Sequence, residues 1–170
     1  YLIEALTNIN KAIRLYNPLF LEKTRNYDGS FEAVRAYIHF LYGEFKNDNN
    51  SILSYRNAIE DVDVRLSAKP DDVASWKDKA KYHFYAGQFG AAYEALIRAA
   101  KLAPKDPSIV IDMGIVLYNR KDYKNACERF NMANSLINEG LSKQGNQGAF
   151  AKDYKQQELR IKPYKDYLGC

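Results

Sequence analysis

The sequence has 170 residues, 46% of them apolar, with 25 Lys and Arg against 21 Asp and Glu, nine Gly, five Pro and two Cys. These figures exclude a disordered or low-complexity chain and a disulfide-framework miniprotein, and a net charge of +4 is too small to point to nucleic acid. No stretch approaches the about 18 uncharged apolar residues that a membrane-spanning helix needs. The chain starts at Tyr1 rather than Met, which reads as an excised or processed start. Its compartment therefore stays open between cytoplasm and periplasm.

Helix signals dominate. Leu2, Leu6, Ile9, Ile13 and Tyr16 recur at alternating spacings of four and three, an apolar stripe on one helix face. Asn17-Pro18 is expected to end that helix, with Pro18 opening a short second one. Asp28-Gly29-Ser30 reads as a turn, and Ser30 caps a helix from Phe31 to about Phe45. The polar run Lys46-Asn47-Asp48-Asn49-Asn50 reads as a loop. Beyond Ser51, the residues Ile52, Tyr55, Ile59, Val62 and Leu66 keep helical spacing, and Pro70-Asp71-Asp72 stops that helix and caps the next.

Further helices are predicted over 73–86, 89–102, 107–119 and 123–137. Asp106-Pro107 is a cap followed by proline at the first helical position, where its missing N–H is not needed. Residues 140–148 read as a Gly/Gln/Asn loop, and a last polar helix runs from about Phe150 to Lys162, where Pro163 breaks or kinks it.

The chain repeats itself with a period of 34 residues. Pro70 and Pro104 are one period apart, as are Leu96 and Phe130, Ala99 and Ala133, and Ala80 and Gly114. Ala58, Ala92 and Ala126 extend over two periods, and so do Tyr55, Phe89 and Tyr123. Small residues recurring where helices approach, and large ones where they fill a gap, are what stacked helical hairpins require. Upstream, Ala36 and His39 match Ala80 and His83 at an offset of 44, so ten extra residues lie between Tyr42 and Tyr55.

This pattern resembles the tetratricopeptide repeat family, a 34-residue helix–turn–helix unit. Trp76, Ala80, Phe89, Ala92, Leu96, Ala99 and Pro104 carry the motif in one unit, and Gly114, Tyr123, Ala126, Phe130 and Ala133 in the next, with Asn138 at the place of the closing proline. The resemblance implies an all-α right-handed superhelix of stacked antiparallel helix pairs. It implies three units, 29–72 with the ten-residue insertion, 73–106 and 107–140, between N-terminal capping helices over 1–28 and a loop and basic helix over 141–170.

Catalytic signals are scarce, and the chain reads as non-enzymatic, with no cofactor and no metal. His39 and His83 occupy equivalent repeat positions and read as core or half-buried residues. Cys127 has no paired base, and a bond between it and Cys170 is left open by the sequence. Glu60-Asp61-Asp63 and Asp71-Asp72 read as solvated helix ends and caps. The tail over 141–170 holds six Lys and Arg against three Asp and Glu and reads as a solvated polar helix.

What the family resemblance implies about function is a concave groove lined by the first helix of each unit. Its lining is expected to include Tyr37, Phe40 and Leu41, then Lys77, Lys81, Phe84 and Tyr85, then Ile111, Ile115, Tyr118 and Asn119. A mostly apolar, aromatic groove of this kind suits an apolar or amphipathic protein segment, in a scaffold belonging to a larger assembly. The family's carboxylate clamp is not expected, because Ala33, Tyr37, Asp78, Ser108 and Asp112 stand at its cation and amide positions. A chaperone of a bacterial secretion or surface assembly system and an accessory domain of a larger enzyme are the alternatives, and the helix over 2–16 is a further candidate to fill the groove.

Overall fold

The computed structural model describes residues 1–23, 30–46, 51–144 and 151–170, and these contain eight helices and no strand. In chain order they are α1 (Leu2–Lys23), α2 (Ser30–Lys46), α3 (Ser51–Ala68), α4 (Val73–Tyr85), α5 (Phe89–Leu102), α6 (Pro107–Asn119), α7 (Tyr123–Gln144) and α8 (Ala151–Leu168). The chain divides into two compact units, residues 1–95 and 96–170. The turn expected at 28–30 falls largely outside the described residues, as do 47–50 of the polar run and 145–150.

The period of 34 marks burial. Ala58, Ala92 and Ala126 are fully buried, as are Ala99 and Ala133, and Leu96 and Phe130 are buried with them. Trp76 is only half-buried, and its indole N–H donates to the Pro70 carbonyl at 2.8 Å. The predicted caps form. The Asp72 side chain accepts from the Ala74 N–H at 3.2 Å, and Asp106 accepts from the Ser108 N–H at 2.8 Å, with Pro107 opening α6.

The turns within the pairs α4/α5 and α6/α7 are copies of each other. Gly87 and Lys121, one period apart, both take a left-handed backbone, with φ of 73° and 63°. In each turn the next N–H reaches back into the preceding helix, Gln88 to the His83 carbonyl and Asp122 to the Leu117 carbonyl. Glycine adopts this conformation without penalty; lysine does not.

The ten extra residues of the first pair are mostly helix rather than loop. Relative to α4 and α5, five residues lengthen the end of α2, four lengthen the start of α3, and one is added to the connection. In the first unit Ala36, Phe40, Tyr55, Ala58, Val62 and Tyr82 form one buried cluster. α1 packs on α2, burying Ile13 while Leu2, Leu6 and Ile9 are half-buried.

Three expected helix ends do not occur. α1 continues through Pro18 to Lys23. α7 continues through Gly140 to Gln144, because Gly140 is the seat of the Tyr154 ring from α8 and a side chain there would collide with it. α8 continues through Pro163 to Leu168, and its far end is tied down by contacts that no local pattern displays. Those contacts include a disulfide between Cys127 of α7 and Cys170, with Cα atoms 5.9 Å apart.

Candidate partner-binding surface

Seven of the eleven expected groove residues lie in the first unit and four in the second. In the first, α2 and α4 bring their aromatic side chains together. The Lys81 ammonium sits 3.9 Å from the centre of the Phe40 ring and 6.0 Å from that of Tyr37. Phe40 also meets Tyr85 edge-on at 5.1 Å, and Phe84 meets Tyr85 and Phe89 in the same manner at 5.7 and 5.4 Å. Phe40 is itself buried, so its role is that of a core residue supporting the surface rather than a lining residue.

Tyr37 and Tyr85 are the exposed members, at 52% and 44%. Lys81 is exposed as well, while Leu41, Lys77 and Phe84 are half-buried. Behind them the Tyr55 hydroxyl donates to Glu44 Oε1 at 2.5 Å. Its pKa is raised, first by burial and then by that carboxylate. Tyr85 shifts the same way for the same two reasons, so its hydroxyl stays protonated and keeps its donor.

In the second unit the expected residues are differently placed. Ile111 is fully buried and belongs to α6's interior, where nine of 13 residues are buried. Ile115 and Tyr118 are half-buried, and the Asn119 side chain donates to the Ile115 carbonyl at 2.9 Å. Tyr118 is covered by the chain's own last helix: it meets Tyr164 at 5.1 Å and Tyr167 at 6.0 Å, besides Tyr123 at 5.6 Å. Nearly two turns of α6 earlier, Asp112 accepts from Arg160 at 2.7 Å. Thus part of the basic tail is ion-paired, and this face of α6 is occupied.

The sequence reading missed a charged network between α1, α2 and α3. Asp61 is buried, not solvated: Arg35 Nε donates to both of its carboxylate oxygens at 2.9 Å and Nη2 to Oδ1 at 2.5 Å. The remaining Arg35 nitrogen, Nη1, reaches Asn10 Oδ1 at 2.9 Å and so fastens α1 to the pair. His39 Nε2 lies 3.9 Å from Asp61. Burial lowers the His39 pKa, with Arg35 adding to it, and these outweigh the attraction of Asp61. A signal was present: Asp61 falls between Ala58 and Val62 on α3's apolar stripe, where a charge demands a partner.

No family model matches the chain. It is 28% identical over 92 residues to the human protein SGT1 homolog, covering 54% of this chain and about a quarter of that relative's length. Solved structures with similar folds include the Sgt2 TPR domain from Aspergillus fumigatus, at a TM-score of 0.52 and 19% identity, with 79% of each chain covered. Another is the TPR2B domain of yeast Sti1, in a structure described as its complex with pHsp70, at a TM-score of 0.53 and 19% identity, covering 79% of this chain and 98% of that one. The chain has the fold of tetratricopeptide helical repeats. Its repeated alanines, with Leu96 and Phe130, are buried as helix-on-helix packing in this fold requires, whereas Phe89 is half-buried and Tyr123 exposed. Among the described residues of this tetratricopeptide-type chain, no three His, Cys, Asp or Glu side chains converge as a metal site would need. None of its helices, so far as described, is long and apolar enough to cross a membrane.

Proposed function

We propose that this chain is a non-enzymatic interaction module that binds an apolar or amphipathic protein segment over the α2/α4 face of its first unit. The observation that carries this is the exposure of Tyr37 and Tyr85, both in ring contact with Phe40, over which the Lys81 ammonium sits. Large rings left half in water contribute little to the fold, yet they are the side chains from which binding hot spots are built. Lys77, Phe84 and Leu41 extend the same face. A terminal carboxylate is not its ligand, because Asp78 stands at a position where the family's clamp needs a cation. Ile115, Tyr118 and Asn119 contribute to binding in the second unit only where α8 leaves them uncovered.

Peptides selected from a random display library on the folded chain test the reading. The expected winners are apolar or amphipathic, and a Tyr37→Ala, Tyr85→Ala double variant with an unchanged melting curve binds them about thirtyfold or more weakly, since one anchor is worth at least about 2 kcal/mol. Equal binding by the double variant would place the ligand elsewhere.

A further inference from the structure

The C-terminal helix is held in a way that separates its two halves. Only Ala151 and Ile161 of α8 are buried, although the helix has 18 residues. Its first half is seated by Ala151, by Tyr154 on Gly140 and by the pairing of Arg160 with Asp112. Pro163 then interrupts the helix's own hydrogen-bond ladder, for it has no N–H to offer the Leu159 carbonyl. The ring contacts that Tyr118 and Phe130 receive from this helix lie beyond that interruption: Tyr164, stacked on Phe130 at 5.2 Å and edge-on to Tyr118, and Tyr167. The next fixed point is the disulfide from Cys170 to Cys127.

We infer that the Cys127–Cys170 disulfide is a redox latch, and that its reduction releases the segment 163–170 from Tyr118 and Phe130 while the rest of the unit stays folded. A helical segment this short has no stability of its own in water, and the proline at its start removes the support of the preceding turns. With the covalent tie cut, what remains among the described residues to hold it is chiefly three ring contacts made by two tyrosines and one partly buried leucine. Opening then uncovers Tyr118 and the otherwise fully buried Phe130 ring.

The reductant is a dithiol. One of its thiolates attacks a sulfur of the disulfide, forming a mixed disulfide and expelling the other cysteine as a thiolate, which takes up a proton. The second thiol of the reductant then displaces the remaining protein sulfur. Two electrons and two protons pass to the protein, which ends with two thiols, and the reductant leaves as its disulfide. Both cysteines are partly exposed, so a small dithiol has access.

Hydrogen exchange read by mass spectrometry on the full chain, oxidised and after dithiothreitol, tests the latch. Reduction is expected to speed exchange of the amides over 164–170 by about thirtyfold or more, with those of α6 and of 151–158 little changed. Cys127→Ser and Cys170→Ser variants are expected to match the reduced chain and to ignore the dithiol. If either variant fails to fold, reduction and reoxidation of the unaltered chain make the same comparison. Unchanged protection over 164–170 on reduction would overturn the proposal, since the segment would then be docked without its tie. Loss of protection throughout 96–170 would overturn it equally, because the disulfide would then be a staple for the whole unit.

Discussion

Replacing Asp61 by Ala is expected to destabilise the first unit by about 3 kcal/mol. Removing one partner of a buried ion pair generally costs about 3–5 kcal/mol, because the other charge is left without compensation. Here the stranded group is Arg35, whose side chain is 23% exposed against 7% for Asp61, and it keeps its bond to Asn10. The Glu32 carboxylate also acts on it electrostatically. Both features put the cost at the lower end of the range. The chain has a single tryptophan, Trp76, and it lies within residues 1–95, so its fluorescence follows urea unfolding of this unit alone. With a denaturant dependence of about 1–3 kcal/mol per molar, the midpoint is expected to fall by about 1–3 M. The companion variant Arg35→Met, Asp61→Val removes both charges and replaces the pair by apolar groups of similar summed volume, and it is expected to return to within about 1 kcal/mol of the parent. A loss below about 1 kcal/mol in Asp61→Ala would mean that Arg35 is solvated well enough to need no partner. A double variant as unstable as the single one would mean that the charges matter for packing shape rather than for each other.

Two further outcomes follow from local chemistry. Lys121→Gly relieves a left-handed lysine at the position where the preceding repeat has Gly87, and it is expected to stabilise by about 0.5–1 kcal/mol, raising the thermal midpoint by about 1–4 °C in circular dichroism; Gly87→Ala is expected to shift it the other way. Because burial holds the His39 pKa below its ordinary 6.5, the unfolded chain binds this proton more readily than the folded one. Stability should therefore fall as pH drops below about 6.5 and level off below the folded pKa. His39→Gln should lose that part of the fall between pH 7.5 and 5.5, while the contributions of Glu32, raised by burial, and of Asp72, where burial is outweighed by the lowering from Ser75 and Arg65, are common to both chains and cancel in the difference.

The features legible in the sequence are those encoded twice. Ala92 and Ala126, Leu96 and Phe130, and the caps Asp72 and Asp106 recur at one fixed distance, so each copy supports the reading of the other, and all are found where that reading put them. The partners of Tyr118 and Asp112 lay outside its reach. They come from Tyr164, Tyr167 and Arg160, on a helix with no counterpart in the repeat, and no spacing connects them. Prolines and glycines misled for a different reason. Pro18 and Pro163 carry a local penalty worth a few kcal/mol, yet the backbone stays helical through both.

The glycines show how the two meanings of one residue separate. A side chain at Gly43 would come within 2.6 Å of the Tyr55 ring, and one at Gly114 within 2.5 Å of the Phe130 ring. Gly140 stands in the same relation to Tyr154. In each case a glycine inside one helix faces an aromatic ring of the helix that follows, so the missing side chain is the space the ring fills. Gly87, by contrast, has nothing near its absent Cβ and a left-handed backbone. Composition alone treats all four as punctuation. What distinguishes them is the aromatic partner, which for Gly43 and Gly114 stands 12 and 16 residues further on and for Gly140 stands 14 further on. A glycine inside a helical pattern, with a ring about that far downstream on the next helix, is thus a packing signal, and read this way it carries α7 through Gly140 and seats α8 on it.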